Sequence, residues 1–178
     1  SIIVTDFNEC SDTIVVTITQ PDQLIFSTLS QDVSCNGGAD GMASIDTIFG
    51  GTQPYSYLWS TGAIIDSISN LTAGTYTLQV TDANGCLSTP TSDTITIIEP
   101  SVLQSSINIV SHATCDGSQT LSTGEISVTG IGGDPGYLYL WSTGSTATSI
   151  NTLMPGIYTV EITDDNGCVV SDTAEILS

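Results

Sequence analysis

Residues 35–86 and 115–168 of this chain are one text written twice. Tyr55-Ser-Tyr-Leu-Trp59-Ser-Thr-Gly62 returns as Tyr137-Leu-Tyr-Leu-Trp141-Ser-Thr-Gly144. The copies then run without a gap through Leu71/Leu153, Gly74/Gly156 and Tyr76/Tyr158 to Asp82-Ala-Asn-Gly-Cys86 and Asp164-Asp-Asn-Gly-Cys168. A partial third copy, Val4-Thr-Asp-Phe-Asn-Glu-Cys10, matches Val80–Cys86. A chain that repeats itself at about eighty residues folds as one compact unit per repeat. Pro21 and Pro100 hold the same place in the period, so the expected units are residues 21–99 and 100–178, 79 residues each. Residues 1–20 are expected to be the C-terminal strands of a preceding repeat. The whole reads as a window on a tandem array, so function is sought in the array before any single pocket.

Within the first unit the pattern predicts strands at 23–33, 42–49, 55–60, 63–70, 74–82 and 92–98. Each shows period-two alternation or β-branched enrichment, with Gly, Asn, Asp or Pro clusters between. Thr75-Tyr-Thr-Leu-Gln-Val-Thr81 is the clearest, with Tyr76, Leu78 and Val80 on one face. Asp82-Ala-Asn-Gly85 follows as a turn, because Asn-Gly readily supplies positive φ. No segment has helical periodicity with caps. Seven or so short strands in about eighty residues indicate an all-β fold, immunoglobulin-like β-sandwich modules set end to end. Trp59 and Trp141 take the central core position of such a sandwich. Tyr76 and Tyr158 follow turns that fit a tyrosine corner, where the hydroxyl folds back onto the backbone. The competing reading makes Trp and Tyr an exposed platform for stacking sugars.

Composition narrows the function. The chain has no Lys and no Arg among 178 residues, against 14 Asp and 5 Glu. Nucleic acid and anionic membrane surfaces are excluded as partners, since both are met by Lys or Arg. Positive mean hydropathy and abundant Ile, Val, Thr and Tyr set this acidity apart from that of disordered chains. No run of 18 apolar residues is present, so no membrane insertion is expected.

The five cysteines sit at fixed places in the period: Cys35 and Cys115 early, Cys10, Cys86 and Cys168 late. That recurrence argues for structural pairing in an oxidising compartment. Two connectivities follow from strand parity. If the early loop and the late turn lie at opposite ends of a sandwich, Cys35 meets Cys168 of the next module. Cys115 then awaits a following module, and Cys10 and Cys86 pair with preceding ones. If residues 63–70 form a single strand, parity reverses and the pairs become Cys35–Cys86 and Cys115–Cys168.

The strings Cys-Asn-Gly-Gly-Ala-Asp-Gly, Gly-Gly-Thr-Gln-Pro-Tyr-Ser-Tyr-Leu-Trp-Ser-Thr-Gly, Leu-Thr-Ala-Gly-Thr-Tyr and Val-Thr-Asp-Ala-Asn-Gly-Cys resemble the SprB repeat. That repeat builds very large surface adhesins of gliding Bacteroidetes and is similar in outline to PKD and fibronectin-type modules. The resemblance covers nearly the whole chain. It implies a secreted, filamentous, cell-surface protein that acts in adhesion during gliding. The second copy departs in its first loop, where Cys115-Asp-Gly-Ser-Gln-Thr-Leu-Ser-Thr-Gly124 is longer than Cys35-Asn-Gly-Gly-Ala-Asp-Gly41.

No catalytic constellation is present, since His112 stands alone and would serve one module only. The chain is therefore expected to be non-enzymatic, with no resident cofactor. Calcium is the candidate ion, because oxygen ligands cluster at the late turn as Asp82/Asn84 and Asp164/Asn166. Plain turn chemistry competes with that reading. Asp followed by Ser or Thr and then a small or aliphatic residue recurs, and it matches an O-glycosylation motif of Bacteroidetes secreted proteins. It would place sugars on Thr13, Thr47, Ser67, Thr94 and Thr173. Three functions remain: the stiff stalk of an adhesin, a carbohydrate-binding array of a secreted protein, or a self-associating filament. The expected partners are neighbouring repeats of the same chain, surface polysaccharide, or like filaments.

Overall fold

A computed structural model describes residues 1–115 and 121–178, the side chains of Thr114, Cys115, Leu121 and Ser122 excepted. The longer first loop of the second copy lies largely outside the described residues. Every regular element among those described is a β-strand. Strands β1 (Ile2–Thr5) and β2 (Ser11–Ile14) form a hairpin at the start. The first module holds β3 (Ile25–Gln31), β4 (Gly41–Phe49), β5 (Ser56–Trp59), β6 (Ser67–Leu71), β7 (Gly74–Thr81) and β8 (Asp93–Ile97). The second holds β9 (Gln104–Ser111), β10 (Thr114–Cys115), β11 (Leu121–Ser122), β12 (Gly124–Ile131), β13 (Leu138–Trp141), β14 (Ser149–Leu153), β15 (Gly156–Thr163) and β16 (Val169–Ile176).

Each module is an immunoglobulin-like sandwich of two three-stranded antiparallel sheets. In the first the sheet orders are β3-β4-β6 and β5-β7-β8; in the second, β9-β12-β14 and β13-β15-β16. Alternation sends one face of each strand inward. Ala43, Ile68 and Leu71 from one sheet meet Trp59, Leu78, Val80, Ile95 and Ile97 from the other. The second module repeats this with its own core around Trp141, Ile126, Val160 and Ile162. The Trp59 ring is buried and its indole N–H donates to the Ile65 carbonyl at 2.8 Å. Trp141 does the same with Ala147, also at 2.8 Å. A fully buried aromatic of this kind carries about 3–5 kcal/mol against truncation to Ala. The sugar-platform reading of the tryptophans is thereby overturned, because neither ring face is open. Both tyrosine corners form: the Tyr76 hydroxyl donates to the Thr72 carbonyl at 3.0 Å and that of Tyr158 to Met154 at 2.9 Å.

The strand expected at 63–70 is shorter, beginning at Ser67. Residues 60–66 turn instead, with the Trp59 N–H donating to the Ala63 carbonyl. This segment crosses from one sheet to the other at mid-height. Strand β5 pairs only the Leu78–Thr81 half of β7, and β6 pairs only the Gly41–Ser44 half of β4. Both short strands therefore run in the same direction, one above the other on opposite sheets. The early loop (32–40) and the late turn (82–86) consequently lie at opposite ends of the module, although only six strands are present.

Candidate functional site: the junction between modules

The late turn is built around one carboxylate. Asp82 is only 5% exposed, and its Oδ1 accepts the N–H groups of Cys86 (2.8 Å) and Asn84 (2.9 Å). Its Oδ2 accepts the N–H of Thr52 at 3.0 Å, tying the loop before the Trp strand to the turn. The Cys86 N–H foremost, then those of Thr52 and Asn84, holds the Asp82 carboxyl below the usual carboxylate range, against the opposing effect of its desolvation. Asp164, 3% exposed, repeats the pattern with the N–H groups of Cys168 (2.8 Å), Asn166 (3.1 Å) and Asp134 (3.0 Å). Even the isolated hairpin keeps it, with Asp6 Oδ1 accepting from Asn8 and Cys10 at 2.9 Å. This bracket fixes where the late cysteine points.

The early loop is shaped by a second carboxylate. Asp40 accepts the Ser34 hydroxyl and, at 3.0 Å, the Ser34 N–H. The hydroxyl is the larger cause holding the Asp40 carboxyl below the usual range. Gly37 sits at φ +72, a conformation that suits glycine, and the Gly38 N–H closes the turn onto the Cys35 carbonyl at 2.9 Å. Cys35 is left at the tip, facing the next module.

There the two ends meet. A disulfide joins Cys35 to Cys168 across 133 positions of sequence, with Cα atoms 5.7 Å apart. That spacing is ordinary for a disulfide. The alternative pairs Cys35–Cys86 and Cys115–Cys168 are therefore absent, since both partners of the staple are already used. Cys10 and Cys86 are free and exposed; the side chain of Cys115 lies outside the described residues. Hydrogen bonds surround the staple. Asn36 Nδ2 donates to the Pro100 carbonyl at 2.9 Å, and the Gly37 N–H donates to Glu99 Oε2 at 2.7 Å. Asn166 Nδ2 reaches back to the Ser34 carbonyl at 3.2 Å. The linker is held as well, by the Ile98 N–H on Asp32 Oδ1 at 2.8 Å. Sequence reasoning reached the cysteines but missed Asn36, Glu99 and Asp32. Their partners are sixty or more residues away, and only the folded end-to-end arrangement brings them into reach.

The structure uses the candidate calcium ligands in other ways. The Asp82 and Asp164 carboxylates face N–H donors, a setting that already balances their charge. Asn84 Nδ2 donates to Thr52 Oγ1 and Asn166 Nδ2 to Ser34. Among the described residues no group of three or more His, Cys, Asp or Glu side chains could hold a metal ion. Of the candidate glycosylation positions, Thr13, Thr47, Thr94 and Thr173 are exposed and Ser67 is half-buried. Thr13, Thr94 and Thr173 share one geometry, each donating its N–H to Oδ1 of the preceding Asp.

A family model described as the SprB repeat matches residues 27–64 and 108–146. No curated protein sequence matches the chain. Among solved structures the chain is similar to an amphioxus IgVJ-C2 molecule, at 13% identity and TM-score 0.39, covering 79% of this chain and 97% of that one. It is also similar to the IG1+IG2 segment of DIP-gamma, at 14% identity and TM-score 0.35, covering 86% and 96%. The sandwich assignment rests on the strand order described above.

Proposed function

We propose, from the premise that this chain carries two SprB-type repeats, that it is a load-bearing, non-enzymatic segment of an extracellular adhesin or surface filament. Its role is that of a stiff stalk in surface attachment during gliding. The Cys35–Cys168 staple is the observation that carries this reading. Six residues, 98–103, connect the last strand of the first sandwich to the first strand of the second, and Ile98, Glu99 and Pro100 each contribute a backbone or side-chain group to the hydrogen bonds at the junction. A covalent bond across so short a linker restricts hinging, which a stalk under shear requires. Disulfides persist in oxidising compartments, in keeping with a place outside the cell. The net charge of −19 repels neighbouring filaments and keeps them apart. Among the described residues no helix is long and apolar enough to cross a membrane. Neighbouring repeats are the first partners, with surface polysaccharide as an outer one. Sugars on the exposed Thr13, Thr47, Thr94 and Thr173 would add bulk without touching either core.

Antibody raised against residues 21–178 tests the reading. It is expected to label intact, unpermeabilised cells on projecting filaments, and its Fab fragments to lower attachment to a solid surface. Labelling that appears only after permeabilisation would contradict the proposal.

A further inference from the structure

The end of the second module that receives the Cys35 loop has a counterpart on the first module, and there it is open. Cys86 occupies the place of Cys168, held by the same carboxylate bracket. Beside it lies a cleft of about 400 Å³ lined by Gln20, Pro21, Leu24, Asp82, Cys86 and Leu87. In the repeat, Pro21 corresponds to Pro100, whose carbonyl accepts Asn36, and Gln20 corresponds to Glu99, which accepts the Gly37 N–H; Gln20 and Pro21 both line the cleft. The side-chain amide of Gln20 carries an acceptor oxygen, as the Glu99 carboxylate does. The asparagines mark the difference between the two ends. Asn166 reaches across the occupied junction to Ser34, whereas Asn84 folds back onto Thr52 of its own module. Cys86 is exposed and unbonded, while its counterpart is in a disulfide.

We infer that this cleft is a socket for the early cysteine loop of an upstream SprB-type module, with Cys86 as its covalent anchor. The occupant is a loop of the kind formed by Ser34-Cys-Asn-Gly37, because that loop fills the equivalent place on the second module. In the docked state Asn84 releases Thr52 and donates to the incoming Ser carbonyl. The incoming Asn amide donates to the carbonyl of Pro21, and the incoming Gly N–H donates to Gln20. Bond formation consumes one disulfide donor. The Cys86 thiolate attacks a sulfur of that donor and expels one donor thiol, leaving a mixed disulfide. The incoming cysteine thiolate then attacks the Cys86 sulfur and expels the second donor thiol. Two protein thiols thus lose two electrons and two protons, and the donor disulfide is reduced to two thiols. The inference rests on the junction geometry and stands apart from the adhesive role. Its consequence is a staple at every junction of an array, each linking the early loop of one module to the late turn of the next.

The test uses the 178-residue chain as it is. The probe is a synthetic peptide of residues 30–41 whose cysteine carries a glutathione disulfide, set against a peptide of the same composition in scrambled order. Attack by a protein thiolate on the peptide sulfur releases glutathione, and mapping by mass spectrometry assigns the product to Cys86 or Cys10. Cys10 lies in a hairpin with no module beneath it and serves as the internal control. Cys86 is expected to take the native peptide at least tenfold faster than the scrambled one, while Cys10 shows no preference. Equal rates with the two peptides at Cys86, or the same preference at Cys10, would overturn the socket. Failure here leaves surface labelling by antibody untouched, so the two readings fail separately.

Discussion

At the scale of single residues, Asp82 shows how an acidic chain without cations holds its loops. A carboxylate with no Lys or Arg to meet turns to backbone N–H groups, and three of them converge on Asp82. Its carboxyl is held below the usual range in the folded state, mainly by the Cys86 N–H. A group whose folded pKa is depressed adds stability above its unfolded value, roughly 3.9 for Asp. That stability is lost as pH falls through the lower folded value. Replacing Asp82 with Asn removes the charge and leaves one oxygen for three donors. Thermal melts from pH 2 to pH 6 should show the parent more stable than Asp82→Asn near pH 6. The gap should close as pH drops below the ordinary carboxylate range. A gap that stays constant with pH would show that the charge plays no part. The turn was legible in the sequence as Asp-x-Asn-Gly. The bracket was not, because its third donor, Thr52, comes from a loop thirty residues earlier.

At the scale of elements, the sequence patterns located strands well and their directions less well. Alternation placed five of the first module's six strands close to where they lie, since each buries one face against the other sheet. The segment 63–70 went astray because Ala63-Ile-Ile65 reads as β-rich while its backbone is spent on the crossover. That crossover decides the disulfide. Six strands in strict alternation would put Cys35 and Cys86 at one end. Because β5 and β6 run the same way, the two cysteines lie at opposite ends. Close approach of the sheets at the early-loop end is set by Gly41. A Cβ there would come within 2.9 Å of Ile97 Cγ2 and of the Leu71 carbonyl oxygen. Gly124 meets Ile176 in the same way, at 2.7 Å. Gly41→Ala is therefore expected to destabilise the first module by about 1–3 kcal/mol, the usual cost of overpacking. Adding Ile97→Val should recover only part of it, since the backbone oxygen cannot retreat. Unchanged denaturant midpoints for Gly41→Ala would contradict this packing.

At the scale of the whole molecule, the staple changes the route that tension takes. Pulled between Ser1 and Ser178, an unstapled chain carries force along every residue once it unfolds. With Cys35 bonded to Cys168, the covalent path runs through residues 1–35 and 168–178, 46 of the 178. The 132 residues between the cysteines are shielded. In an array stapled at every junction the shielded segments overlap, so the stalk stays short even when single modules open. The same bond restricts the unfolded state and so raises the stability of both modules while it is intact. Single-molecule pulling from the two termini, with and without reductant, tests this account most directly. Reduction is expected to add one hidden length of about 450 Å, the span of 132 extended residues at roughly 3.3–3.6 Å each. Two separate increments of roughly 170 Å, as the pairs Cys35–Cys86 and Cys115–Cys168 would give, or no added length at all, would contradict it.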